Sequence, residues 1–160
     1  MKYNVDDKGL KNMTDRDQED RQYMQMALDM AKLGRGYTNP NPMVGAVIVK
    51  DGKVIAKGYH HCCGQGHAEV EAFKDAGDQD VTGATIYVTL EPCSHYGKTP
   101  PCADKIIEKK IGRVVVGALD PNPLVAGRGI EKIRNAGIEV KTGVLAEESI
   151  KLNEIFMKYI

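Results

Sequence analysis

The chain has 160 residues, of which 42% are hydrophobic and 28% are charged, and its 22 basic side chains balance its 22 acidic ones. This composition is ordinary for one domain with its own core, and the balance excludes an overall field that would attract nucleic acid or an acidic membrane surface. The sequence has no apolar N-terminal leader and no apolar run of about 18 residues, so we expect a cytoplasmic protein without a membrane span. Thiols stay reduced there, so the four cysteines are expected to be metal ligands or core thiols.

Residues 1–14 are polar and unpatterned, and we expect them to form a flexible N-terminal tail. Beyond them, apolar periodicity and turn signals predict five helices and five strands. Asp15 or Asp17 can cap the first helix, and Asp51-Gly52 is a strong signal for a hairpin between the first two strands. The predicted helices cover residues 15–33, 67–77, 103–110, 130–135 and 146–160, and the predicted strands cover residues 44–50, 53–60, 84–90, 113–119 and 138–142.

The order of these elements predicts an α/β fold. From residue 67 onward helices and strands alternate, which indicates right-handed crossovers between parallel strands. The sheet should therefore be mixed, with an N-terminal antiparallel hairpin, three later parallel strands and helices on both faces. Ligands of such sheets collect at the carboxyl ends of the parallel strands, and His67 and Cys93 fall at such positions.

His67, Glu69, Cys93 and Cys102 form the pattern of a zinc deaminase site, which is a His-x-Glu followed by a Pro-Cys and a second cysteine. One imidazole nitrogen and two thiolates would hold a single zinc ion and leave its fourth position to water. Helix N-termini next to His67 and Cys93 would favour the thiolates. Glu69 would carry protons and would not bind the metal.

Other interpretations of these residues stay open at this point. A purely structural zinc would need a fourth protein ligand, which Cys62 or Cys63 could provide, but His-x-Glu would then be unexplained. The chain could also be a non-catalytic binding protein, or another zinc deaminase that acts on a nucleoside or on adenosine in tRNA. The neutral charge and the lack of a basic stripe disfavour tRNA.

The spacing of the two cysteines departs from the general deaminase signature. Eight residues, SHYGKTPP, separate Cys93 from Cys102, whereas the general signature has two. A lysine, hydroxyl groups and backbone amides near a helix N-terminus suit a phosphate group, so this loop is predicted to bind the far end of a phosphorylated substrate. A merely solvated loop is the alternative. The candidate residues on the loop are Ser94, His95, Lys98 and Thr99.

Five strings, TNPNPMVGAVIVKDG, GYH, HAEVEAF, YVTLEPCSHYGKTPPC and DPNPLVAGRGI, resemble the deaminase domain of the diaminohydroxyphosphoribosylaminopyrimidine deaminase family of riboflavin biosynthesis. The resemblance covers nearly the whole chain after the tail. It implies a cytidine-deaminase-like, three-layer α/β/α sandwich with one zinc ion. It also implies the substrate 2,5-diamino-6-(5-phosphoribosylamino)pyrimidin-4(3H)-one, which loses its 2-amino group as ammonia to give the corresponding uracil.

The resemblance further implies roles for individual residues, with His67, Cys93 and Cys102 as zinc ligands and Glu69 as the acid and base. His60 could instead merely end a strand, and residues 120–123 could form an ordinary turn. Gly127-Arg128-Gly129 lacks the third glycine of a dinucleotide motif and is interpreted as the start of a helix. The implied substrate contacts are Asn41 and His60 at the pyrimidine or ribose, His95, Lys98 and Thr99 at the phosphate, and Asp120 and Asn122 as further contacts.

In the commonest architecture of this family, a reductase domain that uses NADPH follows the deaminase domain. This chain ends at Ile160, so residues 15–160 are expected to form a deaminase domain without the reductase, either as a stand-alone enzyme or as a truncated one. We expect a homo-oligomer that binds a small phosphorylated pyrimidine and has no nucleic-acid or membrane partner.

Overall fold

The computed structural model describes residues 14–34, 43–60, 67–93, 101–120, 123–124 and 126–158. Every predicted helix and strand is present, with bounds that differ from the predicted ones by at most two residues. Within these ranges, no helix is long and apolar enough to cross a membrane. The elements are α1 (Asp15–Lys32), β1 (Gly45–Lys50), β2 (Lys53–Tyr59), α2 (Ala68–Ala76), β3 (Thr85–Leu90), α3 (Cys102–Glu108), β4 (Arg113–Ala118), α4 (Arg128–Asn135), β5 (Glu139–Lys141) and α5 (Ala146–Lys158).

The N-terminal cap of α1 differs from the prediction. Thr14 is the capping residue, and its hydroxyl accepts a hydrogen bond from the backbone N–H of Asp17 at 3.0 Å. The Asp17 carboxylate in turn accepts a bond from the backbone N–H of Thr14 at 3.4 Å. This reciprocal pair is a capping box. The prediction of Asp15 or Asp17 was wrong because several adjacent residues are good caps and composition alone cannot rank them.

The five strands form one mixed sheet in the order β2-β1-β3-β4-β5. Strand β1 is antiparallel to both of its neighbours, β2 and β3, whereas β3, β4 and β5 are mutually parallel. It follows that β2 points the same way as β3, β4 and β5, and that β1 alone is reversed. The strand ends at Tyr59, Leu90 and Ala118 therefore lie at one side of the sheet, which we call the carboxyl edge.

Helices cover both faces of the sheet, which confirms the three-layer α/β/α architecture. One buried cluster joins α2, α3 and α4 to the sheet, and the other joins α1 and α5 to the opposite face. The alternation within β3 shows the division, because Ile86 and Val88 belong to the first cluster and Tyr87 between them belongs to the second. Strand β3 is therefore buried on both faces of the sheet.

Close packing of α2 on β2 fixes the position of the first turn of that helix. A Cβ atom added to Gly58 would lie 2.3 Å from the backbone nitrogen of Ala72 and 2.6 Å from the carbonyl oxygen of Ala68. Only glycine allows two backbones to approach this closely without displacement. Glu69 lies in this first turn, so the packing holds it against the carboxyl edge.

Candidate metal centre and active site

Three predicted ligands meet beyond the carboxyl edge. His67 is the N-terminal cap of α2, Cys93 follows the end of β3, and Cys102 is the first residue of α3. Their ligand atoms all lie within 4.8 Å of one another. The Nδ1 atom of His67 is 3.2 Å from the sulfur of Cys102 and 3.8 Å from that of Cys93. Among the described residues, this ligand cluster consists of His67, Cys93 and Cys102, and the role of Glu69 as a proton carrier stays a prediction.

The backbone at the start of α3 holds Cys93 in place. The N–H group of Cys102 donates to the Cys93 sulfur at 3.1 Å, and the N–H group of Ala103 donates to the Cys93 carbonyl oxygen at 3.1 Å. The helix N-terminus that was predicted beside Cys93 is therefore that of α3, and its amide contacts the sulfur directly. These two bonds also close the loop of eight residues that the sequence places between the cysteines.

The two thiols share one negative charge. A hydrogen bond from the Cys102 thiol, helped by His67, lowers the pKa of Cys93 to about 4. The pKa of Cys102 is raised, because its thiol donates to the Cys93 thiolate, is buried, and lies near Glu69. Ionising both thiols would place two like charges together, which a divalent cation offsets. One nitrogen and two sulfurs are a fitting donor set for a catalytic zinc with one open position.

The imidazole of His67 interacts electrostatically with Cys93 and Glu69. A hydrogen bond with Cys93 raises the pKa of His67, and the nearby Glu69 carboxylate acts in the same direction. Metal binding requires the neutral imidazole and both thiolates, so zinc must displace protons when it enters this site.

Glu69 is buried, with 3% of its surface exposed. Burial raises the pKa of its carboxyl group to about 7, although His67 acts against the shift. A carboxyl group with this pKa exchanges protons near neutral pH, which is the property required of a general acid and base. Its position beside the ligand cluster fits the role predicted from the sequence.

Two of the predicted substrate contacts lie at the same edge. His60 directly follows β2, is buried, and places its ring in an edge-on contact with the His67 ring, with 5.9 Å between centroids. Asp120 follows the end of β4, and its N–H group donates to the side chain of Glu91. The remaining predicted contacts and the alternative ligands lie outside the described residues; they are Asn41, His95, Lys98, Thr99, Asn122, Cys62 and Cys63.

The side chain of Glu91 also belongs to this edge, although the sequence did not predict a role for it. This carboxylate is 8% exposed and accepts hydrogen bonds from the backbone at the start of α4. Gly127 caps α4 in the left-handed conformation, with a φ of 86°. The prediction that residues 127–129 begin a helix is thus confirmed. The available signal was an acidic residue directly after a buried apolar strand and before the Pro-Cys pair.

Comparison with known proteins identifies close relatives. The family described as "Cytidine and deoxycytidylate deaminase zinc-binding region" matches residues 17–118. The "Riboflavin biosynthesis protein RibD" of Aquifex aeolicus is 59% identical over 141 residues, which are 88% of this chain and 39% of that protein. The "Diaminohydroxyphosphoribosylamino-pyrimidine deaminase" of Buchnera aphidicola is 48% identical over 140 residues, which are 88% of this chain and 95% of that protein.

A solved structure has the same fold. The crystal structure of a diaminohydroxyphosphoribosylaminopyrimidine deaminase/5-amino-6-(5-phosphoribosylamino)uracil reductase from Thermotoga maritima superposes with a TM-score of 0.84 at 52% identity. The superposition covers 91% of this chain and 42% of that chain. The chain therefore spans about two fifths of the longer relatives and nearly all of the Buchnera protein.

Proposed function

Because the chain belongs to the zinc-binding cytidine and deoxycytidylate deaminase family, and within it to the diaminohydroxyphosphoribosylaminopyrimidine deaminases, we propose a specific reaction. The chain hydrolyses 2,5-diamino-6-(5-phosphoribosylamino)pyrimidin-4(3H)-one to 5-amino-6-(5-phosphoribosylamino)uracil and ammonia, as a step of riboflavin biosynthesis.

The observation that carries the proposal is a buried carboxyl group, Glu69, beside a His-Cys-Cys ligand set. Bound zinc supplies the Lewis acidity that makes water nucleophilic at neutral pH. Glu69 would accept one proton of that water at its carboxylate and pass it to the ring nitrogen as the water oxygen bonds to C2 of the pyrimidine. It would then carry the remaining hydroxyl proton to the 2-amino group, which leaves as ammonia when the C–N bond breaks and the C=O bond of the uracil forms. In the metal-free chain, burial raises the pKa of Glu69 to about 7, so its carboxyl group can both accept and donate a proton.

The choice of substrate is supported by the Buchnera relative, since this chain covers almost the whole of that deaminase. We assign the pyrimidine or ribose to His60, whose ring contacts the His67 ring, and a further substrate contact to Asp120, whose N–H group donates to Glu91 near Cys93. The phosphate is assigned to the loop between the cysteines, through Lys98 with His95 and Thr99. Asn41 and Asn122 complete the proposed contacts. A cytoplasmic location and a homo-oligomer stay predictions.

An ammonia-release assay on a panel of substrates tests this function. The zinc-loaded chain should release ammonia from the phosphoribosylaminopyrimidine, and should release little or none from cytidine, deoxycytidylate or tRNA that contains adenosine. Protein stripped of metal by a chelator is the control and should be inactive until zinc is restored. Release from cytidine or tRNA without release from the riboflavin intermediate would overturn the assignment.

A further inference from the structure

Glu91 binds backbone groups that are far from it in the sequence. Its Oε1 atom accepts hydrogen bonds from the N–H groups of Asp120 at 3.1 Å and Gly127 at 2.9 Å. Its Oε2 atom accepts a bond from the N–H group of Gly129 at 3.0 Å. One oxygen thus holds both ends of the loop at residues 120–127, and the other holds the first turn of α4. We call this segment the 120–127 loop.

A second contact presses the same region onto the chain next to the metal centre. A Cβ atom added to Gly129 would lie 2.0 Å from the carbonyl oxygen of Pro92, which is the residue before Cys93. The backbone N–H of Glu91 also donates to the carbonyl oxygen of Ala118 at 2.9 Å and so extends the pairing of β3 with β4. The backbone of residues 91–93 is therefore packed against β4 and α4, while the Glu91 side chain binds both described ends of the 120–127 loop.

The same hydrogen bonds occupy backbone amides at the start of α4 that could otherwise bind an anion. Free N–H groups at a helix N-terminus attract anions, and a substrate phosphate is one such anion. Here the amides of Gly127 and Gly129 already donate to Glu91. The carboxylate therefore satisfies these donors internally, and the start of α4 serves as an anchor for the loop.

We propose that Glu91 is a positioning residue, which sets the distance between the metal ligand Cys93 and the substrate contact Asp120. The proposal rests on the proposed function, because Asp120 is taken to be a substrate contact on the ribosyl side of the pyrimidine. Hydrogen bonds to a buried carboxylate are stronger than those to a neutral acceptor, so a single side chain can hold the loop. Its loss should affect recognition of the sugar phosphate more than chemistry at the metal.

Glu91→Gln tests this with little change in volume. The amide nitrogen that replaces one carboxylate oxygen is a donor, so it cannot accept all three N–H bonds. Glu131→Gln is the matched control, because Glu131 is exposed in the first turn of α4. Both variants should bind one zinc per chain. Amide hydrogen exchange at Asp120, Gly127 and Gly129 should be faster in Glu91→Gln than in the control.

Steady-state kinetics then distinguish a positioning role of Glu91 from a contribution to the stability of the fold. For the phosphoribosylaminopyrimidine, Glu91→Gln should raise KM about tenfold and change kcat less than about threefold. For the same pyrimidine without the ribosyl phosphate, kcat/KM should equal that of the control. Lower stability alone would leave KM unchanged. Equal losses on both substrates, loss of zinc, or unchanged kinetics would each overturn the proposal.

Gly129→Ala is a second variant that leaves Glu91 in place. Its added methyl group would meet the carbonyl oxygen of Pro92, so the same rise in KM is expected from displacement of the loop. Should Glu91→Gln fail to fold, an unchanged KM in Gly129→Ala would overturn the proposal. Should wild-type protein not deaminate the riboflavin intermediate, the proposed function fails. In that case, amide hydrogen exchange alone tests the positioning role. If the amides of Asp120, Gly127 and Gly129 exchange as slowly in Glu91→Gln as in the Glu131→Gln control, the role is refuted.

Discussion

Two buried carboxylates lie at opposite sides of the sheet and have opposite electrostatics. Asp20, which is 1% exposed, lies where β4 begins and accepts two hydrogen bonds of 2.8 Å from Arg113 and one of 2.8 Å from the Tyr87 hydroxyl. Burial raises the pKa of Asp20, but the bonds from Arg113 and Tyr87 outweigh it and lower the pKa below its usual value. Glu69, which is 3% exposed, has its pKa raised by burial to about 7.

The comparison teaches that the partner of a carboxylate, and not its burial, separates a structural role from a chemical one. Arg113 and Lys141 both reach Asp20, which links α1 to the strands β4 and β5 and keeps the carboxylate ionised. Within the described ranges, no lysine or arginine forms an ion pair with Glu69. Burial therefore raises the pKa of Glu69 to about 7, and its carboxyl group can transfer protons near neutral pH.

Removal of Arg113 should give the largest effect on stability. Arg113→Met removes the main cationic partner of the buried Asp20 and leaves only the partly exposed Lys141, which costs about 3 kcal/mol of unfolding free energy. Arg16→Met is the matched control, because the Arg16–Glu139 pair is more than half exposed and should contribute less than about 1 kcal/mol. Urea denaturation measures both values. A loss for Arg113→Met no larger than that of the control would contradict the structural role of Asp20.

The double variant Asp20→Leu with Arg113→Met sharpens this prediction. Replacing both members of a buried pair by apolar groups is often nearly neutral. We therefore expect the double variant to recover most of the stability lost by Arg113→Met. A double variant as unstable as the single one would mean that packing, rather than the unpaired charge, causes the loss.

Removal of the Glu69 carboxylate should give the next largest effect, and it should act on turnover. Glu69→Gln is expected to keep the fold and one zinc per chain, while kcat/KM for ammonia release falls at least about a hundredfold, or about 2.7 kcal/mol. Glu71→Gln, on the same helix and paired with the exposed Lys74, is the control and should retain activity. Unchanged turnover in Glu69→Gln would favour a structural zinc in a non-catalytic protein.

A smaller effect on the free energy of unfolding is expected at low pH. Asp20 has a lower pKa in the folded chain than the value near 3.9 in the unfolded chain. The unfolded state therefore binds more protons at low pH, so this stabilisation is present above about pH 4 and is lost as the pH falls through the folded pKa. In metal-free protein, Asp20→Asn should lose less stability than wild type between pH 5 and pH 3, by an amount on the order of 1 kcal/mol.

Urea unfolding at the two pH values measures this difference. The metal-free state is used because acid also protonates the zinc ligands and would release the metal. Asp78→Asn, at an exposed position after α2, is the control and should follow wild type. Identical pH slopes for Asp20→Asn and wild type would show that Asp20 does not contribute to acid sensitivity.

Local patterns predicted the elements, but they could not predict how distant elements meet. Asp51-Gly52 indicated the hairpin, and the alternation after residue 67 indicated parallel strands. Nothing in the sequence specified that β1 lies between β2 and β3, and this order makes β2 parallel to the later strands and brings His60 to the carboxyl edge. The Asp20–Arg113 pair was missed for the same reason, since 93 positions separate its members.

The candidate site was predictable where it depends on a motif. His67, Glu69, Cys93 and Cys102 were found because metal chemistry restricts the residue types and because helix and strand ends place them together. Glu91 lies two positions from Cys93, yet its side chain was missed because its partners are backbone amides. Every residue except proline has a backbone N–H group, so the residue type does not indicate which carboxylate that group contacts. Only the folded structure shows this contact.

The smallest effect is expected from the adjacent cysteines, Cys62 and Cys63. With three protein ligands, the metal keeps an open position for water, and Glu69 can act as its acid and base. With a fourth protein ligand, the zinc would be structural, and Glu69, like Asp20, would have no catalytic role. The variant Cys62→Ser with Cys63→Ser should therefore retain one zinc per chain and nearly full ammonia release. Metal analysis by mass spectrometry checks this, with Cys102→Ser as the variant that must lose zinc. Loss of stoichiometric zinc from the double serine variant would refute the three-ligand site.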